Sequence, residues 1–262
     1  MRKPTFILFL FLALPLASPA ENSPRGVPPK GASPREIVAH TINLLRGHSN
    51  VALYEVEIVN PRWRRRLKLK AWDKRMEKKV FVRILEPAKD EGTGFLRIDY
   101  NLWMYLPSTE KVMKIPPSMM LQPWMGSDFT NDDLVKESSY IDDYDHTLEG
   151  VETKEGEALW RIRLDPKPHA PVVWGKVFFW IRKADFIPLR QAFYDERGRL
   201  IKNLEFSEVK KMGGTTLPSV WRMESVNKEG HYTTLTLKEI QFNPLEGIRD
   251  EIFTEKQLRR SH

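Results

Sequence analysis

The sequence predicts a mainly β protein with a few helices, built as a single curved antiparallel sheet of about eleven strands. Three observations carry this. From Val51 onward apolar and charged residues alternate with a period of two, as strands of a sheet covered on one face require. Turn signals at Glu155-Gly156, Arg197-Gly198, Gly213-Gly214 and Glu229-Gly230 separate extended runs. Composition does not break after Ser33, which favours one domain over 33–262.

Residues 1–20 read as a cleavable signal peptide. Arg2 and Lys3 precede an apolar run from Thr5 to Leu16, and Ser18-Pro19-Ala20 presents small residues where a signal peptidase reads them. The apolar run is short for a transmembrane helix. Residues 21–32, rich in Pro, Gly and Ser, read as a flexible leader. Ser33-Pro34-Arg35-Glu36 opens a helix with a capping box and a proline at the first helical position. Ile37, Val38, Thr41, Ile42, Leu44 and Leu45 form its apolar face, and Gly47 is its stop.

Strands follow. Tyr54, Val56 and Ile58 alternate with Glu55 and Glu57; Trp63, Leu67, Leu69 and Ala71 alternate with Arg64, Arg66, Lys68 and Lys70; Val80, Val82 and Ile84 continue the pattern. Phe95–Tyr100, Leu102–Leu106 and Lys111–Ile115 come next. A short helix is expected from about Thr130 to Glu137, then extended runs at Ser139–Leu148, Ala158–Leu164, Gly175–Arg182, Ile187–Tyr194, Leu200–Val209, Leu217–Val226 and Tyr232–Phe242. A helix near Asp250–Arg259 closes the chain. A sheet this long curls into a barrel or an open half-barrel. Its inner face would draw on Trp63, Leu67, Leu69, Val80, Val82, Trp103, Tyr105, Phe178, Trp180, Leu204 and Phe206. Alternation shows which residues share a face, and leaves open which face is inside.

One stretch departs from the pattern. Met119, Met120, Leu121, Trp124, Met125 and Phe129 fall within eleven positions, interrupted by Pro123 and Gly126 and preceded by Pro116 and Pro117. The prolines forbid a regular helix. Large apolar side chains on an irregular loop point to a lid, a lining or a docking surface. Methionines clustered on a loop suit variable apolar partners. The candidate lipid-binding residues are Trp103, Tyr105, Met113, Ile115, Met119, Met120, Leu121, Trp124, Met125 and Phe129.

Charge and cysteine usage narrow the function. The formal charge is +7, and removing Arg2 and Lys3 leaves +5. Arg62, Arg64, Arg65, Arg66, Lys68 and Lys70 crowd one hairpin, which reads either as a face for a membrane or acidic partner or as a solvated strand face. The absence of cysteine excludes disulfides, thiolate zinc sites and cysteine nucleophiles. These features suit the periplasm, and an exported chain is not expected to meet nucleic acid. No phosphate loop, dinucleotide glycine fingerprint or Gly-x-Ser-x-Gly elbow is present. Asp142, Asp143, Asp145 and His146 are the one acidic cluster that could serve a hydrolase or metal, although such runs are usually turns. Ser127-Asp128 with His169 or His231 is a weaker constellation. The chain is read as a non-enzyme without cofactor or metal.

Leu102-Trp103-Met104-Tyr105-Leu106-Pro107, then Lys111–Ile115, then Met125-Gly126-Ser127-Asp128-Phe129 with Asp133-Leu134, resembles the LolA-like outer-membrane lipoprotein-sorting proteins. The resemblance implies a half-barrel closed by helices over an apolar cavity, and a monomeric periplasmic carrier of lipid or lipoprotein acyl chains. It further implies transient membrane contact and an RND-type exporter or other inner-membrane protein as partner. An adaptor of the same fold that binds a membrane protein is the alternative.

Overall fold

The computed structural model describes residues 31–136 and 140–260. The expected signal peptide and the leader up to residue 30 lie outside them. Helix α1 (Pro34–Arg46) forms as its sequence dictates. Ser33 Oγ accepts from the Glu36 backbone, the Glu36 carboxylate accepts from Ser33 N at 2.7 Å, and Gly47 at φ 62° ends the helix. Its Ile37, Val38, Ile42 and Leu45 are buried.

Among the described residues thirteen strands follow: β1 (Asn50–Val59), β2 (Arg64–Lys74), β3 (Lys79–Glu86), β4 (Gly94–Ile98), β5 (Asn101–Leu106), β6 (Lys111–Lys114), β7 (Tyr144–Lys154), β8 (Glu157–Pro166), β9 (Lys176–Arg182), β10 (Pro188–Tyr194), β11 (Leu200–Met212), β12 (Thr215–Ser225) and β13 (Tyr232–Phe242). Each corresponds to an extended run named in the sequence, and the total is two more than the expected figure of about eleven. All belong to one antiparallel sheet ordered β6-β5-β4-β3-β2-β1-β13-β12-β11-β10-β9-β8-β7. The last strand pairs with the first, from Asn50↔Phe242 to Val59↔Tyr232, joining two meanders into one surface. The sheet remains open, and its edge strands β6 and β7 are consecutive in the chain. The described residues between them, 115–136 and 140–143, therefore lie across a face of the sheet. Two further helices are short, α2 (Asn131–Lys136) and α3 (Glu255–Leu258). The run expected to be extended from Ser139 begins as β7 only at Tyr144; residues 140–143 form a turn. Among the described residues no helix is long and apolar enough to cross a membrane.

The inner face is the one covered by α1 and by the segment between β6 and β7. Val56, Leu67, Leu69, Val82, Ile84, Phe95 and Leu102 form one apolar group with Ile115 and Trp124. Val177, Phe179, Ile181, Phe193, Leu204, Phe206, Trp221 and Met223 form another with α1. On the outer face Phe81, Leu96 and Tyr105 are covered by Ile248, Phe253 and Leu258 of the C-terminal segment. Arg83, 1 % exposed, fastens that segment by donating to the carbonyls of Gln257 at 2.7 Å and Leu258 at 3.0 Å.

Face assignment corrects the expectation in two strands. In β5, Leu102 and Met104 point inward, while Trp103 and Tyr105 pack outward with the C-terminal segment. In β9, Val177, Phe179 and Ile181 point inward. Phe178 and Trp180 meet Arg161 and Arg190 on the outside. Trp63 stands exposed at the β1–β2 turn. Leu67, Leu69, Val80, Val82, Leu204 and Phe206 do face inward.

Candidate functional site

The lid segment from Pro116 to Lys136 is irregular, as its prolines require. Single 3₁₀ turns at Pro117–Met119 and Trp124–Gly126 break it, with Met125 at φ 53° and Gly126 at φ 78° reversing the chain. Internal bonds hold its shape: Trp124 N donates to Phe129 O at 2.8 Å, and Asp132 N donates to Met120 O at 2.9 Å. Trp124, only 3 % exposed, is driven into the inner face and meets Phe95 edge-on at 5.6 Å.

Polar contacts tie the lid down. Asp128 accepts from the Thr233 hydroxyl at 2.9 Å and from the Ser225 hydroxyl at 3.1 Å, on β13 and β12. The Asp133 carboxylate accepts from Thr130 N at 2.7 Å and forms an ion pair with Lys202 of β11. Lys202 is buried between the rings of Trp174 at 4.7 Å and Phe193 at 5.0 Å. Arg65 donates to Met125 O at 3.2 Å and pairs with Asp90 at 2.6 Å.

Beneath the lid lies a cavity of about 150 Å³. Strands β2 and β3 supply Leu69, Ala71, Val80 and Val82 to its wall; β12 and β13 supply Trp221, Met223 and Leu235; the lid supplies Trp124, Phe129 and Leu134. The lining also includes Arg46, Asn50 and Asp73, all buried.

The expected lipid-binding residues divide by position. Trp124 and Phe129 line the cavity. Ile115, Met120 and Met125 pack into the same apolar group. Met113, Met119 and Leu121 are solvent-exposed. Trp103 and Tyr105 are on the opposite face. In the basic hairpin, Arg64 and Arg66 share Glu57, at 3.7 Å and 2.9 Å, and Lys68 pairs with Glu86 at 3.3 Å. Lys70 lies over Trp72, and Arg62 is exposed at the turn. Arg65 does not belong to that outer array, because it shares the inner parity of Leu67 and Leu69 and reaches the lid.

The acidic cluster is split between two elements, with Asp142 and Asp143 in the turn before β7 and Asp145 and His146 in the strand itself. Asp142 pairs with Arg35 at 3.5 Å, and Asp143 accepts from the Tyr100 hydroxyl at 3.2 Å. Among the described residues no group of three or more His, Asp or Glu side chains could hold a metal. Burial holds the imidazoles of His146 and His40 below their ordinary pKa. As pH falls below about 6.5 the unfolded chain protonates first, so stability is full above that pH and declines as pH drops through the folded-state values. The urea midpoint should therefore fall on acidification, and a His40→Gln/His146→Gln variant should flatten the decline. An equally steep decline in the variant would assign the effect to other groups.

Lys202 and Asp73 were not singled out from sequence. Each breaks an apolar register: Lys202 shares parity with Leu204 and Phe206, and Asp73 with Leu67, Leu69 and Ala71. A charge in the inward register was the available signal.

The model of a family described as an uncharacterized protein matches residues 76–260, more than half of the chain. No curated protein matches it. A DUF1329 family protein from Desulfovibrio piger shares the fold at TM-score 0.78 and 23% identity, covering 87% of this chain and 100% of its own. A domain named for outer membrane lipoprotein sorting, from Vibrio parahaemolyticus, follows at 0.74 and 23% identity, covering 86% and 98%. A LolA superfamily protein from Nitrosomonas europaea gives 0.73 and 21%, covering 86% and 100%. The match over residues 76–260 shows that the chain belongs to the family this model describes, and the open thirteen-stranded sheet it shares with these structures is a LolA-like fold.

Proposed function

We propose that this protein is a monomeric periplasmic carrier that binds lipid or lipoprotein acyl chains on the inner face of the sheet and moves them toward the outer membrane, in exchange with an RND-type exporter or another inner-membrane protein. The observation that carries the reading is an apolar inner face roofed by a lid held down by side-chain hydrogen bonds and an ion pair. An acyl chain gains about 0.8 kcal/mol per buried methylene, so a water-filled compartment can be crossed only under such cover. The cavity is smaller than the roughly 300–1,000 Å³ of ligand pockets, so loading requires the lid to lift. Polar tethers suit a lid that must release and re-form. Arg62, Arg64 and Arg66 are the surface offered to an anionic membrane or partner during transfer.

The test is binding of a fluorescent fatty acid. Trp124→Asp places a carboxylate among Phe95, Leu69 and Val82, and should weaken binding by about tenfold or more. Circular dichroism should show the sheet intact. Unchanged affinity in a folded variant would remove the lid from the binding site, and failure of the wild-type chain to bind any acyl probe would remove the carrier reading itself.

A further inference from the structure

Besides Asp133 and Gln191, the cavity lining carries one cluster of polar residues on α1, β1 and β2. Asp73 and Asn50 are 4 % exposed and Arg46 is 7 % exposed, and all three line it. Three donor atoms converge on a single oxygen. Asp73 Oδ2 accepts from Arg46 Nε at 2.7 Å, Arg46 Nη2 at 2.6 Å and Asn50 Nδ2 at 3.2 Å. Asp73 Oδ1 is buried and has no hydrogen-bond partner among the described residues.

We infer that Asp73 Oδ1 is a recognition site inside the cavity for a hydrogen-bond donor, so that the preferred cargo is an acyl amphiphile bearing a hydroxyl, an amide N–H or an amine, rather than a plain hydrocarbon chain or one ending there in an acid group. The inference rests on the carrier reading and names the class of cargo within it.

Anchoring accounts for half of the carboxylate only. The group ties the end of α1 to β2, and Asn50 Nδ2 also donates to Arg46 O at 2.9 Å. That role uses Oδ2 and leaves Oδ1 without a purpose. A buried acceptor without a donor is unfavourable, and buried polar groups are otherwise almost always paired. Nor does fold stability require an ion pair here, since well-packed apolar residues generally do as well. Position adds a second argument. Asp73 continues the inward row Leu69 and Ala71 on β2, which places it about 13 Å along the strand from Leu69. A ligand lying along that row has apolar side chains at one end and the carboxylate at the other. The same carboxylate repels a phosphate or fatty-acid headgroup brought to that end.

The experiment displaces a fluorescent fatty acid from the full chain with matched saturated chains ending in a hydroxyl, a primary amide, an ammonium or a methyl ether. The donor-bearing chains should displace it at about tenfold lower concentration than the ether, the scale of a hydrogen bond to a charged group. Whichever end group ranks first identifies the source of the donor. In Asp73→Asn the amide oxygen must face Arg46, which turns its NH₂ toward the cavity, so the preference should disappear or reverse in favour of the ether. Should that variant fold poorly, Arg46→Met/Asp73→Leu removes both charges together and should lose the preference as well. Equal displacement by all four chains, or a preference that survives in the double variant, overturns the inference and leaves the carrier intact. A chain that binds neither the probe nor its competitors overturns both.

Discussion

Lys202→Met should destabilise the protein by about 3–5 kcal/mol and open the lid to proteolysis, because it leaves the Asp133 carboxylate under the lid without its cation. Lys202 is 2 % exposed, so water cannot replace the lost partner at the strand. Methionine keeps the stem between Trp174 and Phe193, which separates loss of charge from loss of volume. Thr130 continues to donate to Asp133 and recovers part of the loss. Adding Asp133→Leu should restore most of the stability, since an apolar pair fills the site without a stranded charge. Urea unfolding of the single and double variants measures the coupling. A loss under about 1 kcal/mol in Lys202→Met, or no recovery in the double variant, would show that the lid is not held at this point.

Phe179→Ala should be comparably severe, at about 3–5 kcal/mol, whereas Trp180→Ala next to it should lose only about 1 kcal/mol. Phe179 is fully buried and meets Tyr140 edge-on at 5.4 Å, between the sheet and the segment that crosses it. Trp180 is half-buried on the outer face, where it stacks with Arg190 at 4.8 Å and donates to Glu152 at 2.9 Å. Solvent can replace much of what Trp180 loses. Equal losses for both would mean that the faces of β9 have been assigned the wrong way round.

That pair marks the boundary of what the amino-acid order reveals. Alternation in Lys176–Arg182 shows that Phe178 and Trp180 share a face, and Val177, Phe179 and Ile181 the other. Both sets are apolar, so nothing local says which one is inside. In β2 the outward residues are Arg64, Arg66, Lys68 and Lys70, and the inner face could be read directly. The outer aromatics arise from two causes that local patterning does not contain. Trp103 and Tyr105 are covered by a C-terminal segment more than a hundred residues away. Phe178 and Trp180 are covered by arginine side chains from neighbouring strands. The capping box of α1 and the irregular lid were legible because each depends on residues within a few positions. The tethers of the lid were not, because Asp128 looks like a turn former until Thr233 is brought beside it.

The two edge strands have a mechanical consequence. Because β6 and β7 follow one another in the chain yet stand at opposite edges, the described residues between them, 115–136 and 140–143, lie as a chord across the arc of the sheet. A chord sewn down at both ends cannot swing away like a door on one hinge; it can only bow. Squeezing the edges together slackens it and lets the roof rise, while spreading them pulls it taut and presses the roof onto the arc. A partner that grips the two outer strands would thus hold the drawstring of the purse without touching its contents.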